Sequence, residues 1–423
     1  MLAACCALAG CRDASGRGVV TLRLWGLGRE GEVVQELVRD FERENPGIRV
    51  RVQQIPWTAA HEKLLTAHVG DATPDVAQIG NTWIAELDAL GALAPLDRWV
   101  ARSPTVNSTR YFRGIWDTNV LGDTLYGIPW YVDTRVLFYR TDLLAKAGYR
   151  AMPQRWAEWR DALAAIKRDV GPDRYAIFLP LDEWNQPVIF GIQTGAPLLR
   201  EGGRYGAFED SSFRRAFTFY IDLFRDGLAP VLTNQTVANP YQRFAQGFYA
   251  MWITGPWNIG EFQRRLPPAV QDLWATAPLP GPAGDSSGIS MAGGASLVMF
   301  RRTEHPREAW KLIEFLSRPE EQLRLFQLTG DLPARTEAWE RASLIDDRYA
   351  HAFWVQLHRV RPLPKLPEWE LLTSRVIARA ELAIYGRASI DDALAGLDRD
   401  ADALLEKRRW MLQRNAERHA AGR

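Results

Sequence analysis

Cysteine is nearly absent from this chain: Cys5, Cys6 and Cys11 all lie within the opening "MLAACCALAGC", and none follows. Once that segment is removed no disulfide can form, so the fold has to rest on its apolar core. Charge of one sign is lacking as well. With 52 Lys plus Arg against 51 Asp plus Glu, the formal net charge is +1 and no basic run is long enough to attract nucleic acid or an anionic membrane. No nucleic-acid partner is expected. No segment reaches the roughly 18 consecutive apolar residues of a membrane span. Histidine is scarce, with six in all, and His61 and His68 in "HEKLLTAH" miss the HExxH spacing. Neither a metal nor a cofactor is expected.

The cysteines themselves carry a signal. Leu8-Ala9-Gly10-Cys11, after an apolar run and before the polar "RDASGRG", resembles the lipobox of a bacterial lipoprotein signal, which makes residues 1–11 a signal segment and Cys11 the lipid-bearing residue. No Lys or Arg precedes the apolar run, contrary to the usual basic start, so Met1 is expected not to be the natural start, or the chain to be truncated. Several acyl chains on Cys11 would anchor the protein stably, each buried methylene contributing about 0.8 kcal/mol.

What is abundant is apolar and aromatic: 47% hydrophobic residues and 17 Trp in 423 residues suit a well-packed chain of two or three domains. From Thr21 to Asp97 strand and helix patterns alternate, the order of an α/β domain with a parallel sheet. Val33, Val34, Leu37, Val38 and Phe41 recur at helical spacing, and "NPG" ends that helix; Ile48, Val50 and Val52 then alternate with polar neighbours as a strand. Between roughly 134 and 275 helices dominate, with Trp156, Trp159, Leu163 and Ile166 on one face and Phe213, Phe217, Tyr220, Ile221 and Phe224 on another. Such stripes read as core. A Pro- and Gly-rich loop at 277–294 precedes a strand and a helix, and the tail is a charged helix.

The loop "GLGREG" at 26–31 follows a strand and opens a helix, the setting of a dinucleotide fingerprint. Glu30 and Glu32 argue against a pyrophosphate there, since their charges would oppose it. Where an acid should accept a ribose hydroxyl, the second strand "IRVRVQQI" offers Gln53 and Gln54 instead. An NAD-binding oxidoreductase is therefore the weakest of three functional readings.

Five segments then fall in a telling order: "FERENPGIRVRV", "TPDVAQIGNTWIAELDALGALAPLD", "LYGIPWYVDTRVLFYRTDLLAKAGY", "RFAQGFYAMWITGPWNIG" and "EHPREAWKLIEFLSRPEEQLRLFQLTGDLPAR". Together they resemble the extracellular solute-binding proteins of carbohydrate ABC transporters, the maltose-binding-like family, over about residues 19–405. The resemblance implies an α/β, two-lobed periplasmic-binding-protein fold with a ligand cleft between the lobes and three hinge crossovers, near 131–135, 274–277 and 316–319. It implies an N-terminal lobe of residues 12–132 plus 276–317 and a C-terminal lobe of 133–275 plus 318–423. It further implies a monomeric receptor in the periplasm, held to the membrane only through its lipid, that hands a sugar to ABC permease subunits.

A sugar presents hydroxyls and an apolar C–H face, so its receptor needs amides and carboxylates for the first and aromatic rings for the second. Glu30 becomes an acceptor for sugar hydroxyls, and Gln54 stands near a strand end where relatives carry a basic residue. Asn81 in "IGNTW" replaces the Asp of disaccharide-binding relatives, with Trp83 beside it. Tyr131 and Asp133 in "PWYVDTR" match the family's cleft tyrosine and hydroxyl-binding aspartate and, two apart on an extended segment, share a face. In the second lobe Trp257 in "GPWNIG" and Trp184 in "LDEWNQP" are stacking candidates. Gly293 and Gly294 match a glycine pair that approaches the ligand, while Arg335 and Arg361 fall near cleft-facing positions of relatives. The ligand expected is an oligosaccharide, first a disaccharide such as trehalose or maltose.

A glycoside-acting hydrolase is the enzyme alternative, because it too pairs carboxylates with aromatics; its two carboxyls stand about 5–9.5 Å apart. No catalytic-family segment is recognisable. "GDSSG" at 284–288 matches GxSxG but lacks the strand and helix of a nucleophile elbow. No catalytic residue is assigned.

Overall fold

The structure, a computed structural model, describes residues 18–421; the signal segment and Cys11 lie outside them. The chain opens with strand β1 (Val20–Leu27), helix α1 (Gly28–Glu44) and strand β2 (Ile48–Ile55), which pairs in parallel with β1. Helix α2 (Trp57–Val69) leads to β3 (Val76–Gly80), parallel to the other edge of β1. The expected apolar stripe of α1 is buried from Val33 to Phe41, and on β2 Ile48 and Val50 turn inward while Arg49 and Arg51 face solvent.

Next come β4 (Gly127–Asp133), β5 (Val136–Arg140), β6 (Tyr175–Phe178) and helix α3 (Asn185–Gln193). Strand β7 (Tyr249–Thr254), helix α4 (Trp257–Arg265), β8 (Trp274–Ala277) and β9 (Ser290–Met299) follow. Helix α5 (Pro319–Thr329), strand β10 (Val360–Pro362) and helix α6 (Trp369–Ile384) lie nearer the end. The largest sheet has the order β10-β9-β3-β1-β2, with β4 also on β9; a second, four-stranded sheet has the order β8-β5-β7-β6, and two further pairs of short strands stand apart from both. Two sheets, each clothed by helices, make two α/β lobes. The Trp156 and Phe213 stripes are core of the second lobe. Trp130, Trp159, Trp274, Trp339 and Trp369 are among the fully buried side chains, so much of the tryptophan serves packing. Among the described residues, no helix is long and apolar enough to cross a membrane.

The first crossing runs from β4 to β5 through Thr134, whose hydroxyl donates to the Met291 carbonyl at 2.8 Å. The second comes later than 274–277, because that segment is itself an edge strand paired with β5; the chain passes between lobes from 277 to 290. The segment at 316–319 is not a crossing. Helix α5 packs on α1, where Arg318 meets Glu44 at 2.9 Å and Arg324 pairs with Asp40, so the chain beyond residue 318 continues on the first lobe. It reaches the second lobe by Tyr349, which stacks on Trp274 of β8 with ring centroids 3.8 Å apart. These helix-helix ion pairs depend on surfaces that meet only in three dimensions, which is why a one-dimensional boundary at 317/318 misses them.

Candidate functional site

Between the lobes lies a cleft of about 950 Å³. Glu30, Asn81, Trp83, Tyr131, Asp133, Trp184, Trp257, Gly293 and Gly294 line it; Gln54, Arg335 and Arg361 do not.

The opening loop is the floor. Its glycines serve packing: a Cβ on Gly26 would stand 2.6 Å from the Gly31 Cα, and one on Gly28, at φ +52, would stand 2.5 Å from the Trp57 ring. The space over the loop is thus filled by an indole and by Glu30, which is 5% exposed at the first turn of α1. That arrangement leaves a carboxyl where a dinucleotide would need an anion-free amide cradle. Burial raises the Glu30 pKa, against hydrogen bonds from Tyr131, its own backbone, Trp57 and Gln78 that favour the anion. Gln78 is fixed in turn: its Oε1 accepts from the Leu27 amide at 2.8 Å and its Nε2 donates to the Tyr131 hydroxyl at 3.1 Å.

The same wall holds Asn81, whose amide donates to Thr118 at 2.6 Å and accepts from the Ser296 hydroxyl at 3.0 Å, leaving only part of its capacity for a ligand. Trp83 packs edge-on against Trp57, centroids 5.7 Å apart, and against His61. Hydrogen bonding to Glu86 at 2.6 Å raises the His61 pKa. Asp133 pairs with Arg135; burial nonetheless raises its pKa, outweighing that cation. Gly293 and Gly294 sit opposite Asp133 and Val132 on β4, and a Cβ on Gly294, at φ +145, would stand 2.2 Å from the Tyr131 carbonyl oxygen. Strand contact, besides any ligand, requires glycine there.

The facing wall is aromatic. Trp257, at the start of α4 and 36% exposed, presents a ring with the Arg135 guanidinium 4.7 Å from its centroid. A sugar stacking on that face has to displace the guanidinium, a contact worth about 0.5–1 kcal/mol at an exposed site. Trp184 stands edge-on against Trp369 at 5.7 Å. Tyr241 is fixed by Asn258 at 2.9 Å, and Arg264 and Arg265 both pair with Glu261. At the rim the Thr82 hydroxyl donates to Glu370 of α6 at 2.6 Å, a bond between the lobes.

Three expected residues are corrected. Gln54 donates to the Gly28 carbonyl at 3.2 Å and braces the loop from outside the cleft. Arg335 is 1% exposed and donates to the Thr105 carbonyl at 2.6 Å and to Glu337 at 2.5 Å; a guanidinium so enclosed ties loops together and does not reach the cleft. Arg361 is exposed on the edge strand β10, outside the cleft lining. Conversely, Arg29, Trp57, Tyr241 and Asp331 line the cleft and were not anticipated. Trp57 had a signal, an aromatic residue just after Pro56 at a helix start; Asp331 in "TGDLPAR" had none. Among the described residues, no three His, Cys, Asp or Glu side chains gather as a metal site.

Residues 25–323 match the bacterial extracellular solute-binding protein family, and the chain belongs to it. It is similar to the sugar-binding protein MalE of the phytopathogen Xanthomonas citri, with 49% identity, coverage of 93% of this chain and 99% of that one, and a TM-score of 0.89. An uncharacterized lipoprotein of Streptomyces antibioticus is 28% identical over 90% of this chain and 86% of its own length. The diacetylchitobiose binding protein DasA of Streptomyces coelicolor is 25% identical over 79% and 77%, respectively.

Proposed function

We propose that this protein is the substrate-binding receptor of an ABC importer, capturing an oligosaccharide, first a disaccharide such as trehalose or maltose, and delivering it to permease subunits. The observation that carries this is one cleft that joins buried carboxyls and a tyrosine on one wall to indoles from both, Trp57 and Trp83 on the first lobe and Trp184 and Trp257 on the second. Polar groups of that kind satisfy hydroxyls, and rings cover the C–H face of a pyranose. Two of the relatives, described as binding sugar and diacetylchitobiose, support the same class of ligand. The sugar binds one lobe, the other closes over it by hinge rotation, and the permease recognises the closed form. Affinity is expected near micromolar, about −8 kcal/mol.

The protein is expected to act as a periplasmic monomer anchored through lipid on Cys11, and not as an enzyme. Calorimetric titration with trehalose, maltose, sucrose, glucose and NAD, with reducing-sugar release assayed in the same samples, tests the proposal. Saturable disaccharide binding without turnover supports it; cleavage, or binding of NAD alone, rejects it.

A further inference from the structure

Asp331 is 6% exposed and lines the same cleft as Glu30. It arrives there by backbone geometry. Helix α5 ends at Gly330 in the left-handed conformation, φ +89, and the Asp331 amide donates to the Thr329 hydroxyl at 3.0 Å. The next residues run beside β4, the Val132 amide donating to the Leu332 carbonyl at 2.9 Å, and this brings Asp331 to the same buried part of the cleft lining as Glu30.

The charges around the pair offer it no counter-ion. Arg29 is engaged by Glu32 at 3.1 Å, and Arg135 by Asp133. Across the cleft Arg264 and Arg265 share Glu261, and at the rim His61 holds Glu86 while Glu370 accepts from Thr82. The remaining polar neighbours, Tyr131, Gln78, Trp57 and Thr329, are neutral donors. Burial pushes Asp331 well above the ordinary carboxylate range, and the nearby Glu30 and Asp133 charges add to that.

We propose that Glu30 and Asp331 form an acid pair that shares one proton and binds neighbouring hydroxyls of the sugar, so that capture of a neutral ligand takes up a proton. This rests on the sugar-receptor function proposed above. Closing the cleft strips water from the pair, which makes a second negative charge costlier and the protonated state more favoured. Affinity therefore falls as pH rises through the interval between the pair's pKa in the free cleft and its higher value in the complex, by up to about tenfold per pH unit for one full proton.

The test is calorimetry of the full chain with trehalose and maltose in buffers of different ionisation enthalpy, from pH 5 to pH 8. Net proton uptake and weakening affinity at higher pH are expected of the wild type; D331N and E30Q should lose the uptake and flatten the profile. Wild-type binding with no uptake, or with release, overturns the acid pair and leaves the receptor reading standing. Uptake that persists undiminished in D331N also overturns it. Failure of the wild type to bind any sugar overturns the receptor reading, and the pair with it. The wild-type measurement decides even if a variant does not fold.

Discussion

The two walls of the cleft are built differently. On the first lobe Glu30, Gln78, Tyr131 and Asn81 are each held by hydrogen bonds to neighbours before any ligand arrives, and the backbone beneath them is packed to glycine tolerance. On the second lobe Trp257 is over a third exposed, its ring lying over the Gly255 backbone with the Arg135 guanidinium 4.7 Å from its centroid. Pre-organised polar groups fix orientation and selectivity, whereas an exposed ring contributes affinity by area. Substitutions on the first wall should thus disturb folding and binding together; those on the second should disturb binding alone.

The largest effect should come from Gly294→Ala, where a methyl group would be driven into the Tyr131 carbonyl. A loss of about 3 kcal/mol in denaturant unfolding is expected from strain and steric conflict; unchanged stability would show that β4 and β9 can yield. Trp257→Ala should weaken disaccharide binding roughly thirtyfold, about 2 kcal/mol of stacking and burial, with an unaltered unfolding midpoint. If its stability fell as far as that of Gly294→Ala, the distinction between the walls would fail. For Asp133→Ala the expectation is at least about tenfold weaker binding, 1.4 kcal/mol, in a chain that still folds but, being on the first wall, unfolds at a lower midpoint; unchanged affinity removes it from the site.

A smaller, pH-dependent effect concerns stability. The native pKa of Asp331 is raised above its unfolded value near 3.9, so the folded chain binds the extra proton and stability is lost as pH rises toward that native value. Asp331→Asn should accordingly raise Tm at pH 8 and leave it little changed near pH 4; equal shifts at both would exclude the charge as the cause. Least affected should be Gln54→Ala, with sugar affinity within about twofold, because one loop-bracing hydrogen bond contributes only ~1 kcal/mol to folding and makes no cleft contact.

Much of this was legible in the chain. Periodicity identified α1 and β2, and the family resemblance located Glu30, Tyr131, Asp133 and Trp257, all of which line the cleft. The losses have a common origin. Arg335 matches a cleft-facing position of relatives, but its guanidinium folds back onto carbonyls more than a dozen residues away in sequence. Asp331 looks like any loop acid until the turn at Gly330 carries it beside a residue 301 positions earlier. Partners that distant leave no periodic trace, so burial of a charged group is the property least readable from its neighbours.

The most direct test of the two-walled cleft is a crystal structure of the protein with whichever of trehalose or maltose it binds more tightly. The sugar should lie between the lobes, its hydroxyls on Glu30, Asp133 and Asp331 and a pyranose face on the Trp257 indole. A sugar bound elsewhere, or one in the cleft touching neither the acids nor the indole, would contradict that arrangement.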